Sequence, residues 1–220
     1  MKSTKAQEEL QKIKTMSFKD KIWYIWEYYK IPILAVIFLI FFLATLLPSV
    51  LNQKEPEFTC YIINNPIYDE RTDTLKDGFS AYAGLDTAKK EWELDTTMVL
   101  NTDESTGIGY EFFIKITAVI ASKGLDVIIG DEAVTNYYSS LSGYLDLEEA
   151  LPAEILDLVN DRLYYAADEF GEEKAYAIDI SDSAVLKNIG ISQEPLYFSI
   201  LGNTPHLDMS ILYLKYLLNL

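Results

Sequence analysis

The stretch KIWYIWEYYKIPILAVIFLIFFLATLLPSVL, residues 21–51, determines how the rest of the chain is interpreted. From Ile31 to Leu51 it contains no Asp, Glu, Lys, Arg or His. A helix of that length covers roughly 30 Å, which is the thickness of the hydrocarbon core of a bilayer. The run is apolar on all sides, whereas a core helix of a soluble domain normally shows a polar stripe. We therefore predict a single transmembrane helix over residues 31–51.

A cleaved export signal is the main alternative for this segment. The apolar region of a signal peptide usually has about 7–15 residues and ends in a small-x-small cleavage site. Here the apolar run is longer, begins only after residue 30 and has no clear A-x-A near Ser49. An uncleaved anchor fits the pattern better, and the sequence leaves open whether the anchor is ever cleaved.

Aromatic and basic residues come directly before the apolar run. Amphipathic aromatic rings favour the headgroup level of a membrane. The pattern therefore predicts a membrane-interface set made of Trp23, Tyr24, Trp26, Tyr28, Tyr29 and Lys30. Two structures fit it equally well: a short interfacial helix that turns at Pro32, or an anchor helix that starts early.

The charges on the two sides of the apolar run predict its orientation. Residues 1–30 carry seven Lys and four acids, a net charge of +3, so the chain total of −16 leaves −19 for residues 52–220. Lysine-rich flanks stay cytoplasmic. We predict a protein of the cell membrane with a cytoplasmic N-terminal segment (1–30), a linker (52–57) and an extracellular domain (58–220).

The segment after the anchor is large enough for one compact domain with its own core. A single cysteine, Cys60, excludes an internal disulfide framework, so stability must come from apolar burial. The negative charge would repel phosphates and argues against nucleic acid as a partner. Nothing indicates a cofactor, because His206 is the only histidine and the loop beginning at Asn101 fails the calcium-loop spacing.

Hydrophobic periodicity after residue 58 alternates between strand and helix patterns. Strands are predicted at FTCYIIN (58–64), WELDTTMVLN (92–101), DVIIGD (126–131) and PLYFSIL (195–201), with a hairpin formed by RLYYAA (162–167) and KAYAIDI (174–180). Helices are predicted over 74–82, 110–122, 132–141 and 152–160, and after Thr204-Pro205 with a buried stripe of Leu207, Ile211, Leu214 and Leu218. This order predicts an α/β domain with a mostly parallel sheet.

Ligands of α/β folds bind at the carboxyl edge of the sheet. Polar residues that follow the first three predicted strands should gather there, namely Asn64, Asn65, Asn101, Asp103, Asp131 and Glu132. Tyr137 is expected to add a ring face for stacking. The alternative for the Asn and Asp residues is turn formation, and for the tyrosine it is core packing.

Three stretches resemble extracellular solute-binding proteins of ABC importers. DVIIGDEAVTNYYSSLSGYLDLEEALP (126–152) is similar to a strand, loop and helix leading to a "gYLxDLsexLP" phrase in that family. AYAIDISDSAVLKN (175–188) is similar to the passage where those proteins cross between lobes. PLYFSILGNTPHLDMSILYLKYLL (195–218) looks like their closing strand and helix. The opening K-x-x-Y-I-W-x-Y-Y-K-I-P also looks like that of uncharacterised surface proteins of Gram-positive bacteria.

The resemblance implies a fold and additional site residues. The domain would be one lobe of a periplasmic-binding-protein fold, since the chain is too short for two complete lobes. Asp179, Ser181 and Asp182 would join the ligand site if the crossing segment is like the family's. The family is generally lipid-anchored in Gram-positive organisms, whereas this chain is expected to keep a spanning helix.

Three functions remain open at this point. The first is non-catalytic binding of a small solute or peptide at the cell surface, with the lipid bilayer and a transporter as partners. The second is a structural or assembly role in which the domain binds another surface protein and no small ligand. The third is a hydrolase that uses paired carboxylates, such as those of Asp131 and Glu132.

Overall fold

The computed structural model describes residues 16–51, 56–67, 69–85, 92–100, 108–191 and 194–220. Two compact units divide the chain, Met1–Gln53 and Lys54–Leu220.

The first unit contains one described helix, α1, which runs from Phe18 to Leu51. The hydroxyl of Ser17 accepts the backbone N–H of Asp20 at 3.4 Å, as expected of a residue that precedes a helix. The helix continues through Pro32 without a turn, which agrees with an early start of the predicted anchor helix.

Large apolar side chains of α1 are exposed in this unit. The exposed fractions are 75% for Ile31 and 68% for Phe38, and Trp23 of the predicted interface set is 69% exposed. Among the described residues, no helix is both long and apolar enough to cross a membrane. Side chains of α1 are described without a gap only over residues 30–46, so the span over residues 31–51 stays a prediction.

In the described part of the second unit, six strands form one sheet in the order β2-β1-β3-β6-β5-β4. The strands are β1 (Thr59–Ile62), β2 (Glu93–Asp95), β3 (Val127–Gly130), β4 (Leu163–Ala167), β5 (Glu173–Asp179) and β6 (Tyr197–Ile200). The helices are α2 (Asp69–Ala83), α3 (Ile108–Ala121), α4 (Glu132–Ser139), α5 (Leu147–Ala150), α6 (Ala153–Val159), α7 (Ala184–Asn188) and α8 (Leu207–Leu218), with a 3-10 turn at Asn160–Arg162.

The predicted α/β class is confirmed, and the sheet is parallel in one half. β1 pairs in parallel with β2 and β3, as expected of strands connected by crossover helices. β6 is antiparallel to both β3 and β5, and β5 is antiparallel to β4. The antiparallel half follows from the predicted hairpin, because a short turn can join only antiparallel strands.

Strand β2 is shorter than the predicted run 92–101. It ends at Asp95 because the side chain of that residue accepts the backbone N–H of Thr97 at 2.8 Å. Such a local bond replaces the ladder with a turn. The alternating pattern after Asp95 therefore reflects packing of single side chains, such as the fully buried Met98, and not a longer strand.

Two hydrophobic clusters pack against the sheet. Cys60 and Ile62 of β1 belong to one cluster, and Tyr61 belongs to the other, as the alternation of strand side chains requires. Both sets are buried, which explains why the strand is written as an unbroken apolar run. The first cluster is aromatic: Phe79 lies with its ring centroid 4.8 Å from that of Tyr213 and 5.2 Å from that of Trp92.

The buried face of α8 differs from the predicted stripe. Ser210, Tyr213, Leu214 and Leu217 are buried, whereas Leu207, Ile211 and Leu218 are only partly covered. Of the four predicted positions, only Leu214 is fully buried. The helix is rotated relative to the prediction because the Tyr213 ring fills the aromatic cluster, with the Phe58 ring centroid 5.2 Å away.

A buried carboxylate ties three elements together at the amino edge of the sheet. Asp126, which is 1% exposed, accepts the N–H of Thr59 at 2.8 Å and the hydroxyl of Thr204. The Nδ1 atom of His206 lies 3.1 Å from the same carboxylate. The sequence pattern had placed His206 as an exposed first-turn residue, whereas its ring is held by Asp126 just before α8 begins.

Candidate functional site

The carboxyl ends of β1, β3 and β5 lie at one edge of the sheet. β1 and β3 are parallel, and β5 has the same direction as β3 because β6 is antiparallel to both. In the register, Gly130 and Asp179 both pair with Tyr197, so the ends of β3 and β5 flank the start of β6. This is the edge at which α/β folds bind ligands.

Two of the predicted residues meet directly at this edge. The amide of Asn64 donates to Asp131 Oδ2 at 2.8 Å, and its Oδ1 accepts the N–H of Leu100 at 2.8 Å. Asn64 has a φ of 63°, a left-handed conformation that Asn tolerates well. Asp131 also caps α4 by accepting the N–H of Val134 at 2.9 Å. The pair therefore joins the ends of β1 and β3 and performs the turn and cap roles that the sequence left open.

A groove of about 530 Å³ lies further along the same edge. It is lined by acids, one arginine, one serine and two tyrosines, with Leu163 between them: Asp161, Arg162, Tyr164, Asp179, Ser181, Asp182, Glu194 and Tyr197. Three of these, Asp179, Ser181 and Asp182, are residues that the resemblance to solute-binding proteins implied.

Arg162 and Asp182 form a forked ion pair across the groove. Both terminal nitrogens of the guanidinium donate to the carboxylate, one of them at 2.9 Å. These hydrogen bonds lower the pKa of the Asp182 carboxyl and raise the pKa of the Arg162 guanidinium. Because the Asp182 side chain is 62% exposed, the pair orients the guanidinium more than it stabilises the fold.

Asp179 and Ser181 shape one end of the groove. One oxygen of the Asp179 carboxylate accepts both the N–H of Ser181, at 2.9 Å, and its hydroxyl. The Ser181 hydroxyl in turn accepts the N–H of Leu196 at 2.9 Å. The end of β5 is thereby fixed to the segment that enters β6, and the carboxylate is held in one orientation.

Two tyrosines stack in the groove. The ring centroids of Tyr164 and Tyr197 are 4.3 Å apart, at an interplanar angle of 35°. The Tyr164 hydroxyl lies 3.0 Å from Asn136 Oδ1 and 3.2 Å from Glu132 Oε1. Glu132, a predicted site residue, is therefore connected to the groove through Tyr164.

Tyr197 presents a polar group that the described residues leave unused. Its side chain is only 8% exposed, yet it lines the groove and its hydroxyl makes no hydrogen bond with any described residue. Burial raises the pKa of the Tyr197 phenol to about 12, and the nearby Tyr164, Asp179 and Glu132 add to the increase. The hydroxyl thus stays protonated and can both donate and accept.

The remaining predicted residues lie elsewhere. Asn65 donates from its side chain to the carbonyl of Ile63 at 3.3 Å, which is a local turn bond. Tyr137 packs edge-on against Phe113 and Tyr138, with ring centroids 5.8 Å and 5.2 Å away, and is not among the residues that line the groove. Asn101 and Asp103 fall outside the described residues.

Sequence reasoning missed Asp161, Arg162, Tyr164, Glu194 and Tyr197. It treated residues 162–180 only as a hairpin and looked for site residues after strands. In an antiparallel pair, the residues before one strand lie beside the end of its partner. The start of β4 and the start of β6 therefore reach the same edge as the end of β5, and this rule would have found all five.

Metal sites were considered in the same region. Among the described residues, no group of three or more His, Cys, Asp or Glu side chains is placed to hold a metal ion.

Comparisons with known proteins give no assignment. No family model, no curated protein and no solved structure matches the chain.

Proposed function

We propose that this chain is a non-catalytic binding protein anchored in the cell membrane, whose extracellular α/β domain binds a small solute or peptide. The observation that carries the proposal is the groove at the carboxyl edge of the sheet. Its volume of about 530 Å³ falls in the range of small-molecule sites. Its polar groups converge from β4, β5 and β6, which are held by the ladder, and from the Arg162–Asp182 pair.

The role of a solute-binding-like domain beside a transporter belongs to the same proposal. Its support is the sequence resemblance at 126–152, 175–188 and 195–218, together with the location of Asp179, Ser181 and Asp182 in the groove. A rigid edge carrying preoriented polar groups suits reversible binding, since little freedom is lost when the ligand arrives.

Thermal unfolding of the full chain in a mild detergent tests the binding proposal. A panel of sugars, amino acids, short peptides and divalent ions is added at high concentration. A ligand present at a hundredfold excess over its Kd stabilises the folded state by about 2.7 kcal/mol, which corresponds to roughly 5–10 °C in Tm. We expect one chemical class to produce a shift of this size.

A matched pair of variants locates that shift. Tyr164→Ala removes a groove wall and should reduce the ligand-induced shift by about half or more. Tyr165→Ala alters the next residue, whose hydroxyl bonds Glu148 and which does not line the groove, and should leave the shift unchanged. A cooperative transition that no compound moves would contradict the proposal.

The membrane anchor and its orientation are also proposed. Support comes from the uncharged run 31–51 and from exposed apolar side chains on α1, since such a surface needs a nonpolar environment. We expect the full chain to stay with membranes in alkaline carbonate and a chain beginning at Lys54 to be released. External protease should digest the C-terminal domain of intact cells. Release of the full chain by carbonate would refute the anchor.

An assembly role is the second candidate, and one surface feature favours it. Phe170 is 80% exposed at the turn between β4 and β5. Asp168 accepts the N–H of Phe170 at 2.8 Å and that of Glu172 at 2.9 Å, which holds the turn rigid. If this ring docks on another surface protein, chemical cross-linking in cells should yield an adduct that Phe170→Ser abolishes and Tyr164→Ala does not.

A further inference from the structure

We propose that the groove recognises a small organic cation, a primary ammonium or guanidinium group, held between the Asp161 and Asp179 carboxylates and the hydroxyl of Tyr197. This inference rests on the proposed binding function and specifies its ligand class. A neutral or anionic ligand in the same groove would leave that function intact and refute the inference.

The balance of charge in the groove carries the first step. Four carboxylates face one guanidinium, and Arg162 is already engaged in its fork with Asp182. Glu194 has a partner in Lys187, whose Nζ is 3.4 Å from its carboxylate. Asp161 and Asp179 form no ion pair with any described residue. The groove therefore keeps uncompensated negative charge that attracts a cation and disfavours an anion.

The geometry of Asp179 carries the second step. One of its oxygens is occupied by Ser181, so the carboxylate is fixed before any ligand binds. A charged acceptor that is already oriented loses little freedom on binding, and its hydrogen bond to an ammonium is stronger than a neutral one. The second oxygen makes no hydrogen bond with the described residues.

The unpartnered hydroxyl of Tyr197 is an independent observation that points to a ligand. Polar groups on side chains that are more than nine-tenths buried normally have a hydrogen-bond partner, and this one opens only toward the groove. Its oxygen accepts a bond from an N–H donor. The adjacent ring of Tyr164 adds a π-face of the kind that attracts ammonium and guanidinium groups.

Two sources supply this chemistry: a free amine, and the side chain of a lysine or arginine in a peptide. Isothermal titration calorimetry of the full chain in detergent separates them. The probes are 1,4-diaminobutane as the free amine and N-acetyl-lysine amide as the peptide side chain. The neutral 1,4-butanediol and the anionic succinate have similar length and serve as controls.

We expect at least one of the two cations to bind, with an affinity that falls as salt increases, and neither control to bind. Binding of the diamine alone assigns a free amine, and binding of the lysine amide assigns a basic peptide. Asp179→Asn retains the oxygen that Ser181 needs and removes the charge, so the Kd should rise about tenfold or more. Asp161→Asn, in a position without a turn role, should weaken binding in the same direction.

Tyr197→Phe separates a ligand contact from a structural role. It keeps the ring stack and removes an oxygen that bonds nothing in the described residues, so Tm without ligand should not fall. The Kd for the cation should rise about threefold to tenfold. Asp157→Asn removes one exposed acid on α6, outside the groove, and should leave the Kd unchanged.

Two results would overturn the inference. Binding of butanediol or succinate in preference to both cations would exclude the cation and keep a binding groove. Cation binding that Asp157→Asn weakens as much as Asp179→Asn would show attraction to overall charge and no specific site. If no compound here or in the thermal panel binds a cooperatively folded chain, the binding function itself fails.

Discussion

Phe79→Ala is expected to lower the free energy of unfolding of the Lys54–Leu220 unit by about 4 kcal/mol, the largest effect of any single substitution considered. Phe79 is fully buried on α2 and touches rings from β1, from the segment before β2 and from α8, with centroid distances of 4.8–5.7 Å. Truncation removes apolar burial and leaves a cavity that rigid aromatic neighbours cannot fill. Because small domains are stable by only about 5–15 kcal/mol, the loss is a large fraction of the total.

Urea unfolding of residues 54–220 measures this effect. Both hydrophobic clusters lie within that range, and Trp92 is its single tryptophan, so fluorescence and circular dichroism report on the same core. The control is the same substitution at an exposed site, Phe170→Ala, which should change stability by less than about 0.5 kcal/mol. Equal losses for the two variants would contradict the packing described here.

Asp126→Ala should destabilise the same unit by about 3 kcal/mol. Its carboxylate is buried and accepts from the Thr59 backbone and the Thr204 hydroxyl, with the His206 ring beside it. Alanine leaves those donors without a partner, and each buried unsatisfied donor costs about 1–3 kcal/mol. The start of β1 and the start of α8 should loosen together.

Asp157→Ala is the matched control, since it removes an exposed acid on α6, and it should be nearly neutral. Asp126→Asn should fall between the two, because its amide oxygen replaces only one of the carboxylate acceptors. Hydrogen exchange gives a second readout: the Thr59 amide should lose protection in Asp126→Ala and not in Asp157→Ala. Unchanged exchange at Thr59 would exclude the proposed tie.

The order of strands and helices could be predicted from the sequence because local pattern sets it. The apolar run at 126–131 becomes β3, the DEFGEE turn becomes the β4–β5 hairpin, and the repeat after Pro205 becomes α8. Pairing direction was harder, since it depends on where a strand inserts. β6 enters between β3 and β5 and runs antiparallel to both, which no local pattern indicates.

The candidate site was predictable in part for the same reason. Asn64 and Asp131 meet because both follow parallel neighbours in the sheet, a relation that strand order implies. Arg162 and Tyr197 precede their strands, and only the antiparallel half of the sheet brings them to that edge. The burial of Tyr197 beside Tyr164 is a tertiary contact that sequence spacing does not contain.

The central claim is that the groove between the ends of β3 and β5 is the ligand site. The most direct test is a set of ¹H–¹⁵N correlation spectra of residues 54–220, recorded while adding the compound that raises Tm most. We predict that the amides of Leu163, Ser181, Leu196 and Tyr197, which line or border the groove, shift with one common saturation curve. Shifts confined to the turn around Phe170, or no saturable shift at all, would contradict it.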